Sequence, residues 1–133
     1  MKLLDRLTTG DVIYTSCVGL PFCYHLGIVV ETGNTKRIFH NSPYIKNKYG
    51  GSVCAQNYDD FVRERRIVKV YRTNTKKERI LQVSNKCRRE VWDTFFFNCE
   101  DYILEIVEGH RRSDLRDAWK LGALAIIGYY LLE

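Results

Sequence analysis

The hydrophobic pattern changes its period near Thr73-Asn74-Thr75, and this change leaves few architectures open to the chain. Before it, Asp11 to Cys17, His25 to Glu31, Lys36 to Asn41 and Ile67 to Tyr71 read as strands, the second rich in β-branched residues (Gly27-Ile28-Val29-Val30). Ser52 to Ala55 is a further short candidate, and Tyr58 to Val62 suggests one or two helical turns. After the break, Ile80, Val83, Cys87, Val91 and Phe95 recur every three or four residues, which predicts a helix over 76–96. A second helix is expected from Cys99 to Glu108, striped by Tyr102, Ile103, Ile106 and Val107 and closed by Gly109. The fold class is therefore α+β, a small antiparallel sheet packed against helices. With 133 residues, no internal repeat and two prolines, residues 1–133 read as one domain.

The register of the central hairpin follows from its turn. With Gly33 and Asn34 as a two-residue turn, paired residues sum to 67, so Glu31 faces Lys36, Val29 faces Ile38 and Gly27 faces His40. His25 then lies diagonally from His40 on one sheet face, because side chains alternate along each strand. Leu26, Ile28, Val30 and Phe39 take the opposite face as core. A glycine opposite His40 is expected to leave room beside the imidazoles for a third group.

Cys99 supplies a reactive atom of the right kind. Asn98 is a good N-cap and Asp101 stands three positions later, as in a capping box, so Cys99 opens the helix. A thiolate there meets the positive end of the helix dipole and unpaired N–H groups, which lower a thiol pKa and can also hold an oxyanion. A cysteine at a helix start, a histidine to deprotonate it and a second polar group to orient that histidine form the logic of a thiol nucleophile. Single cysteines are more often plain core residues, and half-buried histidines are common, so only the combination carries weight. Zinc is the alternative for Cys17, Cys23, His25 and His40, but Cys-x5-Cys-x-His lacks the short-spaced pairs usual at structural zinc sites.

Charge and cysteine count narrow the setting. Twenty-one Lys and Arg against sixteen Asp and Glu give +5, which suits solubility and also attracts phosphates of nucleic acid or anionic lipid. Arg63, Arg65, Arg66, Lys69, Arg72, Lys76, Lys77 and Arg79 crowd one segment, yet Tyr71 is its sole aromatic between Phe61 and Trp92, a thin platform for stacking bases. Five cysteines, an odd number, and a start in which Met1-Lys2-Leu3-Leu4 runs into Asp5-Arg6 argue against a secreted disulfide framework and for a reducing, cytoplasmic setting. Leu121 to Leu132 covers about 18 Å as a helix against a hydrocarbon core of about 30 Å, so it cannot span a bilayer alone. Preceded by Arg111, Arg112, Arg116 and Lys120, residues 118–133 suit either an interfacial helix on an anionic membrane or a packing helix.

Gly10-Asp11-Val12-Ile13, Tyr24-His25-Leu26-Gly27-Ile28-Val29-Val30, Ile38-Phe39-His40-Asn41 and Asn98-Cys99-Glu100-Asp101-Tyr102-Ile103 together resemble the H-box/NC pattern. That pattern marks the lecithin:retinol acyltransferase-like proteins of the NlpC/p60 superfamily. Glu108-Gly109-His110-Arg111-Arg112-Ser113-Asp114 is similar to the family's continuation. The resemblance implies a permuted papain-like fold, with Cys99 as nucleophile, His25 as general base and His40 as the orienting third member. It implies a thioester acyl-enzyme, acyl lipids or acyl amides as substrates, transfer to an acceptor or to water, and no metal or organic cofactor. Backbone N–H groups near Cys99, together with Tyr24 and Asn98, are the expected oxyanion and substrate contacts. Two features depart from the family pattern: Asp101 stands where histidine is common, and fifteen residues separate His25 from His40. Some viral members of the family, the picornaviral 2A proteins, supply the competing expectation of a non-enzymatic module that binds RNA or a host partner.

Overall fold

The computed structural model describes residues 2–17, 20–63, 65–93 and 97–113, with the backbone alone for 20–23. Residues 118–133, expected as an interfacial or packing helix, lie outside the described residues, as does Phe95. A short helix α1 (Leu3–Arg6) precedes strands β1 (Asp11–Cys17), β2 (Leu20–Thr32), β3 (Thr35–Asn41) and β4 (Val53–Asn57). Helix α2 (Tyr58–Val62), strand β5 (Ile67–Arg72) and helices α3 (Lys77–Lys86) and α4 (Cys99–Glu108) follow. The five strands form one sheet in the order β4-β3-β2-β1-β5, antiparallel throughout.

The β2–β3 hairpin has the register that the Gly33-Asn34 turn implies: Gly27 pairs with His40, Val29 with Ile38 and Glu31 with Lys36. Alternation then builds two apolar layers. Leu26, Ile28 and Val30 face α3 and α4, where Ile80, Val83, Tyr102, Ile103 and Ile106 cover them, with Phe39 partly buried beside them. Ile13, Val29 and Ile38 face the other way and pack with Leu7 and Phe61 of α2. Each fully buried aliphatic side chain in these layers contributes on the order of 1.5–3 kcal/mol.

Two expectations about the elements need correction. The predicted helix over 76–96 ends at Lys86, because the following carbonyls bond elsewhere: Asn47 Nδ2 donates to Arg88 O at 2.8 Å and Ser52 N to Glu90 O at 2.9 Å. Val91, placed on the apolar stripe by spacing, is exposed. The room expected opposite His40 is also filled. A Cβ on Gly27 would lie 2.5 Å from Ile38 Cγ2 and 2.8 Å from Phe61 Cζ, so glycine is required there for close packing, not for access.

Among the described residues, no helix is long and apolar enough to cross a membrane. Cys17 is disulfide-bonded, whereas Cys54, Cys87 and Cys99 are free thiols. The odd cysteine count therefore did not mean five thiols, since it says nothing of pairing within a subset.

Candidate functional site

The start of α4 is fixed by local chemistry. Asn98 Oδ1 accepts the Asp101 N–H and the Asp101 carboxylate accepts the Asn98 N–H, each at 3.0 Å, which completes a capping box. Gly109 closes the helix at φ 86°, a left-handed conformation that glycine adopts without a Cβ penalty. The cap is also tied to the sheet. Asn41 Nδ2 donates to the carbonyls of Phe97 and Asn98 at 3.1 Å each, and Ser52 Oγ donates to Asn41 Oδ1. Asn41 follows His40 directly, so one buried side chain couples the end of the histidine strand to the residue before Cys99.

The Cys99 sulfur meets the peptide groups of Tyr24 and Leu26 on β2 and makes no hydrogen bond to the His25 ring, which packs against Phe61 of the other apolar layer. The Cys99 thiol donates to Tyr24 O at 3.7 Å, while backbone N–H groups of Leu26, Glu100 and Cys99 itself favour its ionised form. Burial outweighs them and pushes the thiol up to about 12, with the Glu100 carboxylate acting in the same direction. The expectation of a depressed thiol pKa is thus overturned. The dipole and N–H groups are present, but the thiol of a residue only 7% exposed loses more from desolvation.

His25 and His40 share a sheet face, as alternation requires. Their rings meet edge to face, with His25 Nε2 2.8 Å from His40 Nδ1. Phe61 packs against both, its ring centroid 5.8 Å from that of His25 and 5.0 Å from that of His40. Burial holds His25 well below its ordinary 6.5, aided by His40 and the Arg65 guanidinium. Burial likewise lowers His40 to about 4, against an opposing pull from its bond to Gln56. Both rings are therefore neutral near pH 7, the state a general base needs.

Gln56 and Cys54 are the residues that sequence reasoning missed. Gln56 Oε1 lies 2.7 Å from His40 Nε2, and Cys54 Sγ lies 3.3 Å from the same nitrogen. Both come from β4, where Cys54 pairs with His40 and Gln56 with Ile38. A cleft of about 440 Å³ opens here, lined by Ser42, Tyr44, Ile45, Gln56, Phe61 and Arg65 among others.

The remaining predicted residues have defined places. The Tyr24 side chain is half exposed, and it is the Tyr24 carbonyl that meets the sulfur. Asn98 spends its side chain on the cap and on Ser113, to whose Oγ it donates at 2.8 Å. Among the described residues, no group of three or more His, Cys, Asp or Glu side chains is arranged to hold a metal ion. Comparison with protein-family models, with curated proteins and with solved structures finds no match for the chain.

Proposed function

We propose that the protein is a cysteine-dependent acyltransferase or hydrolase of the lecithin:retinol acyltransferase-like type, built on a permuted papain-like fold. The observation that carries this reading is the His25–His40 contact of 2.8 Å at the point of β2 whose flanking peptide groups hold the Cys99 sulfur. His25 Nε2 is taken by His40, so Nδ1 is the atom left to accept a proton. In the proposed reaction His25 takes the Cys99 proton as the sulfur attacks the carbonyl of an acyl lipid or acyl amide. The tetrahedral intermediate collapses, the C–O or C–N bond breaks, and the leaving oxygen or nitrogen takes the proton from His25. The resulting thioester is cleaved by water or an acceptor hydroxyl or amine, deprotonated in turn by His25, and the thiol is regenerated.

A thiol held near 12 fits general-base attack better than a resting thiolate–imidazolium pair. Backbone N–H groups of Cys99 and Glu100, already turned toward sulfur, are the proposed oxyanion contacts. The test is intact-mass spectrometry after incubation with an activated acyl ester. One acyl adduct, mapped to Cys99 and missing in Cys99→Ser, is the expected result; no adduct, or equal labelling of Cys54, defeats the reading.

One observation favours a second reading, binding of single-stranded RNA. Tyr71 is not isolated in space: Tyr14 meets it at 5.4 Å between centroids, and the Lys69 ammonium lies 4.6 Å and 4.8 Å from the two rings. Tyr71 is exposed and Tyr14 partly buried beside it, and an exposed aromatic with a cation is an element of a base-stacking platform. Salt-sensitive RNA binding by a chain whose Cys99 never acylates would favour this module over the enzyme.

A further inference from the structure

We propose that Gln56 is a positioning residue that sets the tautomers of both buried histidines and so leaves the basic lone pair on His25 Nδ1. The consequence for rate rests on the thiol-triad reading above, whereas the ring protons can be observed without it.

The inference follows from donor and acceptor counts along one chain of contacts. An amide oxygen only accepts, so with Gln56 Oε1 2.7 Å from His40 Nε2, that nitrogen carries the proton. A neutral imidazole has one N–H, which leaves His40 Nδ1 with its lone pair. His25 Nε2, 2.8 Å away, must then donate, and the lone pair of His25 falls on Nδ1. Turning the amide round reverses every step: Nδ1 of His25 would bear a proton and could not take one from a thiol. The whole polarity is set at Gln56, two hydrogen bonds from the base. Burial of both rings keeps them neutral, so the one-proton count holds.

Cys54 explains why an amide is needed there. Its sulfur, 3.3 Å from His40 Nε2, is a weak acceptor beside the amide oxygen but becomes a weak donor toward an unprotonated nitrogen. Without Gln56, the Cys54 S–H can donate to Nε2 and stabilise the reversed set of tautomers.

The experiment is long-range ¹H–¹⁵N correlation on the full chain labelled in histidine, read together with the rate of Cys99 acylation by an activated acyl ester. The wild type is expected to show Nε2–H and an unprotonated Nδ1 on both His25 and His40. Gln56→Leu should mix or reverse these tautomers and slow acylation about 10- to 100-fold, the scale of a general-base contribution. Gln56→Glu keeps an acceptor oxygen and, read at a pH above the His40 titration that its carboxylate raises, should keep both tautomers and most of the rate. A wild-type His25 protonated on Nδ1 overturns the proposal, even if no variant folds, and so do unchanged tautomers in a folded Gln56→Leu. The expected tautomers in a protein whose Cys99 never acylates would uphold the role of Gln56 and defeat the triad reading instead.

Discussion

His25 and His40 have the same side chain in nearly the same environment, yet removing them should cost different amounts. In the proposed reaction His25 handles the proton itself, so His25→Ala should abolish acylation. Among the described residues the ring nitrogens of His40 meet His25, Gln56 and Cys54, and in the proposed reaction its work is to hold the tautomer and steady the imidazolium. His40→Gln retains a hydrogen-bonding group and should lose roughly 10- to 100-fold. Acylation rates of both variants with one probe, after circular dichroism confirms folding, decide the matter; a fully active His25→Ala would end the thiol-triad reading. These roles were half legible beforehand. Two-residue alternation and a recognisable turn put both rings on one face, but Phe61 and Arg65 arrive from the segment after β4, far from the hairpin in sequence.

At the scale of elements, α4 is a helix whose first turn has several partners. Asn98 and Asp101 satisfy each other's backbone donors, Asn41 holds the carbonyls of Phe97 and Asn98, and Ser113 meets the Asn98 amide. Its last turns are held to α3 by Lys86–Glu105 at 2.8 Å, and Arg111 bridges Glu105 and Glu90. Asn98→Ala leaves the Asp101 N–H without its acceptor and should destabilise the fold by about 1–2 kcal/mol, read as a lower urea midpoint. Asn98→Asp, which keeps the accepting oxygen, should recover most of that loss. A midpoint unchanged in Asn98→Ala would mean that the tie through Asn41, not the cap, holds Cys99 in place. The cap was legible because Asn-x-x-Asp spacing is local chemistry; the end of α3 was not, because it is set by bonds to residues 47 and 52.

For the molecule as a whole, two neutral buried histidines make stability depend on acid. The folded-state pKa of each is lowered, so the unfolded chain binds protons that the native state refuses, and stability falls as pH drops below about 6.5. For His40 the loss runs from about 6.5 to about 4 and amounts to about 3 kcal/mol, while His25 continues the decline to lower pH. His40→Gln should flatten that part of the profile, measured as urea unfolding free energy against pH beside the wild type. Parallel profiles would show that folding does not shift the pKa of His40. The same burial keeps His25 unprotonated near pH 7 but also weakens it as a base, since an efficient general base has a pKa near the operating pH.

What the sequence determined by itself was carried by turns, caps and strand alternation. The hairpin register and the shared face of His25 and His40 depend on the turn and on alternation, the opening of α4 at Cys99 and its end at Gly109 on the caps. The tertiary structure alone decided what surrounds those atoms. It buries Cys99 so that desolvation overrides the helix start, fills the space at Gly27 with Phe61, and stops α3 early. It also brings Gln56 and Cys54 to His40 across a connection from Asn41 to Val53 whose length fixes no register. Periodicity and caps are properties of neighbouring peptide units, whereas desolvation and the far partner of a hydrogen bond depend on which distant segments pack together.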